Sequence, residues 1–368
     1  MKTIFLDLGT INASTSHSNL DADNVLTIGN FDGVHLGHQA MLKQLKASAS
    51  EQQLDTMVMI FEPQPREYFA QLKSDPSLAP ARLTSQDEKL GLLAQLGIDT
   101  VVIAKFDEAF RSLSAPQFAD MLTQHLRVKS LVLGDDFKFG HDRTGDSEFL
   151  RHYGLPVTNL NTITDIGSTN IKGFSDNDSA QADSDYDQNA IDVRISSTRI
   201  RELLAKGDLA TANHLLNRDY TITGKVVGGD KIGRTLNFPT ANIELNRIRP
   251  ALHGVYGVDV VVLDPQGEVI ADAFQQLSKE GQSGVSGLRS HSLFGTANIG
   301  VRPSVDKPND WRLEVFFPQF SGDLYGKTLQ VRFLHYLHDE RKYDGLHALK
   351  AGIQQDVVDL LQWRKKAE

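Results

Sequence analysis

A chain of 368 residues is longer than one compact core usually holds and predicts two domains. Its formal net charge of −9 and its lack of any Lys/Arg run exclude a general nucleic-acid surface, and the absence of cysteine excludes disulfides, thiolate metal sites and a cysteine nucleophile. No apolar run approaches the roughly 18 residues of a membrane span, and the apolar stretch within 1–20 is too short for a signal peptide, so a cytoplasmic protein without a membrane partner is expected.

The first predicted element is a buried strand, Val25-Leu26-Thr27-Ile28. It breaks into Gly29-Asn30-Phe31-Asp32-Gly33-Val34 and restarts as a helix opening at Gln39-Ala40-Met41-Leu42, with His35, Gly37 and His38 at its mouth. Gly29 and Gly33 permit tight turns, and the helix presents unpaired N–H groups and a positive dipole end to a phosphate. His35 and His38 add donors that strengthen as charge moves onto a leaving pyrophosphate, and Gly37 lets the phosphate approach the backbone. A lone histidine pair beside a glycine is more often a turn satisfied by backbone carbonyls; the length and specificity of the string from Gly29 to His38 favour the phosphate site. No Gly-Lys-Ser/Thr follows, so it is not a Walker loop. The spacing H-x-G-H resembles the signature of the nucleotidylyltransferase superfamily.

Short β-branched runs at Met57–Phe61, Thr100–Ala104 and Ser130–Leu133 alternate with helical periodicity, the pattern of a doubly wound parallel sheet. Thr84 with Asp87 reads as a variant capping box, and Gly97 as a left-handed C-cap. Two strand ends carry conspicuous strings, Phe61-Glu62-Pro63-Gln64-Pro65-Arg66 and Gly134-Asp135-Asp136-Phe137-Lys138-Phe139-Gly140. The stretch 161–192 is rich in Ser, Asp, Asn and Gln, too poor in apolar residues to offset its ordering entropy, and is expected to be a disordered insertion. Its Asp183, Asp185 and Asp187 lack the glycine and terminal glutamate of a calcium loop. Ile195-Ser196-Ser197-Thr198-Arg199 then opens a helix whose hydroxyls and guanidinium groups suit the far side of a triphosphate.

With these strings, the first half resembles the FMN adenylyltransferase module of the bacterial bifunctional riboflavin kinase/FAD synthetase family. The resemblance implies ATP contacts at Gly29, Asn30, Phe31, His35, Gly37, His38, Ser197, Thr198 and Arg199, with His35 and His38 catalytic. It implies flavin contacts at Phe61, Pro63 and Asp136.

From Tyr220 the pattern changes to strand and turn, with strands expected at Tyr220–Val227, Gly254–Leu263, Gly267–Phe274, Arg312–Phe317 and Thr328–Leu337, closing into a small barrel. Apolar positions from Leu346 to Trp363 predict one terminal helix packed on it. Gly228, Lys231 and Gly233 lie in a glycine-rich flap able to cover phosphates, and Pro239 extends the chain so that Thr240 and Asn242 offer two oxygens suited to Mg²⁺. A glycine hairpin before a buried turn is the plainer reading of that string. It resembles the riboflavin kinase module closely, as do Gly254-Val255-Tyr256, Ala297-Asn298-Ile299-Gly300, Leu313-Glu314-Val315 and Asp323-Leu324-Tyr325-Gly326-Lys327. The resemblance places the general base at Glu314.

The expected molecule is an α/β nucleotidylyltransferase-type (Rossmann-like) domain over 1–204, followed over 205–368 by a small closed β-barrel with a C-terminal helix. The resemblance implies that it makes FMN from riboflavin and ATP, then FAD and pyrophosphate from FMN and ATP. Its partners are then small molecules, with a homo-oligomer left open. A kinase joined to a decayed adenylyltransferase is the nearest alternative, and a flavin sensor without turnover the next. Retention of His35, His38, Ser197, Thr198 and Arg199 speaks against the first, and Glu314 with Thr240 and Asn242 against the second. The chain departs from the family's pattern at Gln64, where histidine is frequent, at Ser304, where threonine is usual, and at His338, where arginine is common. The stretches 161–192 and 275–292 are longer than the family's.

Overall fold

The computed structural model describes residues 1–9, 20, 22–161, 163–164, 193–228, 240–277, 292–302, 310–318 and 320–367. Two compact units divide the chain, Met1–Pro80 with Lys89–Ser197, and Ala81–Glu88 with Thr198–Glu368.

The first unit is built on a parallel sheet of β1 (Lys2–Leu6), β2 (Asn24–Ile28), β3 (Asp55–Glu62), β4 (Thr100–Lys105), β5 (Val128–Gly134) and β8 (Val157–Leu160), in the order β1-β4-β3-β2-β5-β8. Two short strands, β6 (Lys138–Phe139) and β7 (Gly145–Asp146), form a separate hairpin. Successive residues of each long strand feed opposite cores. Leu26, Met57, Met59, Val102 and Leu131 pack on one face, and Val25, Val58, Ile60, Val101 and Val132 on the other. Such two-sided burial is why these strands read as continuous apolar runs rather than alternating ones. The connections run outward in opposite senses from β2 and β5, so the crevice beyond their C-terminal ends is the topological switch point where ligands of such sheets bind.

The helix after β2 spans Leu36–Gln52 and starts earlier than the expected opening at Gln39, because His35 itself is the N-cap. The expected Thr84–Asp87 capping box is displaced by one position. Ser85 caps the helix Gln86–Gln95, its N–H donating to Glu88 Oε2 at 2.7 Å while Glu88 N–H donates to Ser85 Oγ at 3.2 Å. Gly97 does adopt the left-handed conformation, at φ 73°.

The second unit is a closed antiparallel barrel of β9 (Thr221–Val227), β10 (Thr240–Ile243), β11 (Gly254–Leu263), β12 (Leu293–Arg302), β13 (Asp310–Phe316) and β14 (Thr328–His338), in the order β10-β13-β12-β11-β14-β9. The strand expected at Gly267–Phe274 is not one of them. That segment makes a single bridge, Leu263 with Val269, and turns into a helix at Ala273–Leu277, while β10 and β12 complete the barrel. Ala241, Ile243, Ala297, Ile299, Leu313, Val315, Val331 and Phe333 fill its interior. The helix Leu346–Ala367 covers part of the outer face, Leu360 against Gly257 and Trp363 stacked on His335 at 4.6 Å.

A buried ion pair ties the segment Ala81–Glu88 into this unit. Arg247, its side chain 0% exposed, donates to Glu88 Oε2 at 2.7 Å, and the Thr223 N–H donates to Glu88 Oε1 at 2.6 Å. Leu83 O accepts from Tyr220 Oη and from Arg247, both at 3.1 Å.

Candidate functional site

In the first unit the chain leaves β2 through a strained loop. Phe31 and Val34 sit at φ 47° and 41°, a region that β-branched and bulky residues seldom occupy, and Gly33 lies at φ 83°. The strain delivers His35, 5% exposed, to the N-cap, where its Nδ1 accepts the His38 N–H at 3.4 Å. This leaves Nε2 as the protonated nitrogen of the neutral ring. The two imidazoles stack at 3.7 Å, and Phe31 backs His38 at 4.9 Å. A Cβ on Gly37 would crowd the His35 ring at 3.2 Å, so this glycine leaves room for an imidazole as well as for a ligand. Gly29 has no positive φ; a Cβ there would press on the Phe31 ring at 3.2 Å.

Asn30 Oδ1 is buried without a partner in this loop. Ser197 Oγ donates to Asp32 O at 2.8 Å within the first unit, whereas Thr198 and Arg199, the next residues of the helix Ser197–Ala205, belong to the second unit. The helix Leu36–Gln52 has no acidic residue in its first turn, which leaves its positive dipole end for an anion.

Beyond β3 and β5 a cavity of about 570 Å³ opens, lined by Phe61, Phe69, Phe106, Phe110, Phe118, Phe137 and Phe139, with Arg111, Lys138, His141 and Arg143 also on its walls. A volume of this size suits a small-molecule ligand, and the rings suit a flat aromatic one. Phe61 lines it as expected. Pro63 and Asp136 are not among its lining residues; Asp136 instead forms an exposed ion pair with Arg194 at 3.0 Å. Gln64 caps the next helix, 2% exposed, with its Nε2 buried and unpartnered.

In the second unit strand register brings distant residues together. Asn242 lies directly opposite Glu314, and Glu314 directly opposite Asn298 on its other side. Their neighbours Ala241, Ile243, Leu313, Val315, Ala297 and Ile299 point into the barrel, so by strand alternation the three polar side chains form one half-buried row on the outer face. Thr240 lies on the same face as Asn242, two residues away. The carbonyl oxygens of Asn242 and Asn298 are both buried without a hydrogen-bond partner. Such an orphaned oxygen is costly unless a donor or cation meets it, and an amide oxygen beside a hydroxyl is the hard donor set that Mg²⁺ prefers. Thr240 and Asn242 therefore fit the ion. Gly228 lies at the exposed end of β9 with open space where a Cβ would be. Lys231, Gly233 and Ser304 lie outside the described residues. Asn298 went unassigned by sequence reasoning although its string was noted, because its place beside Glu314 exists only once β12 and β13 pair.

Comparisons with known proteins agree with this division. The family described as FAD synthetase matches residues 17–175, and the one described as riboflavin kinase matches 216–363. A bifunctional riboflavin kinase/FMN adenylyltransferase from Escherichia coli K12 is 40% identical over 339 residues, covering 91% of this chain and 90% of that protein. Proteins of the same description from Pseudomonas fluorescens and Haemophilus influenzae are 39% and 38% identical, with 91% and 90% of this chain covered and 91% of each relative. A solved structure described as a macrolide-efflux protein from Streptococcus pneumoniae shares the fold at a TM-score of 0.66 and 24% identity, over 99% of this chain and 100% of that one. Among the described residues no helix is long and apolar enough to cross a membrane. The chain belongs to the bifunctional riboflavin kinase/FMN adenylyltransferase family.

Proposed function

We propose that the two reactions of the family are divided between 1–204, which adenylylates FMN, and 205–368, which phosphorylates riboflavin. In the first, the FMN phosphate attacks the α-phosphate of ATP and pyrophosphate leaves. The nucleophile is already ionised and needs no base. His35 and His38, aided by the helix dipole, stabilise charge on the departing phosphates, with the Ser197 hydroxyl beside their loop. The phenylalanine-lined cavity takes the flavin ring, with Phe61 in its wall.

In the second reaction Glu314 accepts the proton of the riboflavin 5′-hydroxyl as that oxygen attacks the γ-phosphate of ATP. Thr240 and Asn242 would hold Mg²⁺, which supplies neutralisation of the phosphate charge when bound. Asn298 shares the row with Glu314 and fixes its lateral surroundings. The pairing of Asn242, Glu314 and Asn298 in one row, with two orphaned amide oxygens, is the observation that carries this reading. The use of ATP, riboflavin and FMN as substrates supports reading the enzyme as cytoplasmic.

The test is direct. The purified protein, given riboflavin, ATP and Mg²⁺, is expected to yield FMN and then FAD, resolved by chromatography. FMN without FAD would sink the role given to His35 and His38; no conversion of riboflavin would sink the one given to Glu314.

A further inference from the structure

The barrel row continues past Asn298. Val255 lies opposite Asn298 on β11, and His338 lies opposite Val255 at the end of β14. His338 is 14% exposed and held at both ring nitrogens. Nδ1 lies 2.6 Å from Asp339 O, and Nε2 lies 2.9 Å from Asp356 Oδ1 on the terminal helix, a carboxylate 9% exposed. Both partners accept hydrogen bonds. A neutral imidazole carries one N–H and can satisfy only one of them; the imidazolium satisfies both.

What this arrangement anchors is the next two residues. Asp339 Oδ1 accepts from Tyr336 Oη at 2.9 Å and lies 3.2 Å from His253 Nε2. Glu340 Oε1 accepts from Asn298 Nδ2 at 3.4 Å, and the carboxylate lies so close to Gly300 that any Cβ there would collide with it. The charged and titratable groups around His338 are thus Asp356 from the terminal helix, Asp339, Glu340 and Tyr336 from its own strand end, and His253 from the segment before β11.

We propose that His338 and Asp356 are positioning residues of the kinase row: a proton shared between them clamps the end of β14 so that Glu340 orients Asn298 beside Glu314. The proposal rests on the reading of Glu314 as the kinase base. The shared proton is what lets one ring satisfy both acceptors. Loss leaves an acceptor facing an acceptor and releases the clamp. No reacting atom is touched by His338, so its effect passes through Asn298.

The experiment measures riboflavin kinase kcat/KM from pH 5.5 to 8.5 in the full chain, against FAD formation from added FMN as the internal control. The parent is expected to lose about tenfold on the alkaline side, the scale of one charge-assisted hydrogen bond. His338→Arg, charged throughout, is expected to abolish that alkaline loss. Asp356→Asn is the sharper variant. Its amide can donate to a neutral His338 Nε2, so the clamp should stay closed at high pH and the loss should again vanish, whereas an ordinary salt bridge would only be weakened by this change. An alkaline loss that persists unchanged in both variants overturns the clamp. Glu314→Gln assayed alongside separates the two readings, since its retention of kinase activity would overturn the placement of the base and not the behaviour of His338.

Discussion

The two units handle phosphate groups on opposite kinds of scaffold. In the first, the candidate residues come from one string, and the loop between β2 and the helix Leu36–Gln52 stores strain at Phe31 and Val34 to bring His35 to the N-cap. In the second, Asn242, Asn298 and Glu314 come from three strands and are aligned only by register. The helix terminus supplies fixed dipoles and N–H donors, which suits a reaction whose nucleophile is already an anion. The strand row supplies side-chain oxygens at fixed lateral spacing, which suits a cation and a proton acceptor held side by side.

The largest expected effect tests whether the row contains the base. Glu314→Gln keeps size and polarity but removes the proton acceptor, and kinase turnover is expected to fall roughly 10²- to 10⁴-fold with FAD formation from added FMN nearly unchanged. Turnover within a few-fold of the parent would make Glu314 a structural member of the strand and erase the contrast between the units.

His38→Ala is the matching change in the first unit. It leaves the helix and its dipole in place, and FAD synthesis is expected to drop roughly 10²- to 10³-fold, mainly in kcat, while FMN accumulates. A parallel loss of both activities with a lower melting temperature would instead mark His38 as a packing residue beside Phe31.

A stability measurement sharpens the comparison from another side. Glu88→Gln leaves the fully buried Arg247 facing a neutral amide. Breaking a buried pair costs roughly 3–5 kcal/mol, and a glutamine that still accepts a hydrogen bond puts the expected loss near the lower end. Denaturant unfolding should show this in the second unit. An unchanged midpoint would mean that Ala81–Glu88 is dispensable to the barrel.

The smallest effect concerns pH. Burial holds the His335 imidazole below its ordinary range, so the unfolded chain binds the proton more readily than the folded one. The contribution of this residue to stability is therefore full above about pH 6.5 and declines as pH falls through the lower folded value. His335→Phe keeps a ring against Trp363 and should flatten the acid side of a melting-temperature profile; an unaltered slope would assign it to other groups.

Sequence alone determined the class of both units, because two-sided apolar runs, an H-x-G-H string and a change to strand-and-turn periodicity are local features that survive in any one-dimensional reading. It also marked His35, His38, Thr240, Asn242 and Glu314. It misplaced the helix start at Gln39 and the cap at Thr84, since an N-cap is decided by which side chain reaches a free N–H, a matter of one residue. It read a strand at Gly267–Phe274 where the barrel instead closes through Thr240–Ile243 and Leu293–Arg302, because periodicity cannot say which runs find partners. Only the tertiary structure set Asn298 beside Glu314, Glu88 against Arg247, and His338 between two acceptors. Asn298 with Glu314, Glu88 with Arg247 and His338 with Asp356 join residues from different elements, and their juxtaposition comes from strand register and burial rather than from any spacing that a sequence displays.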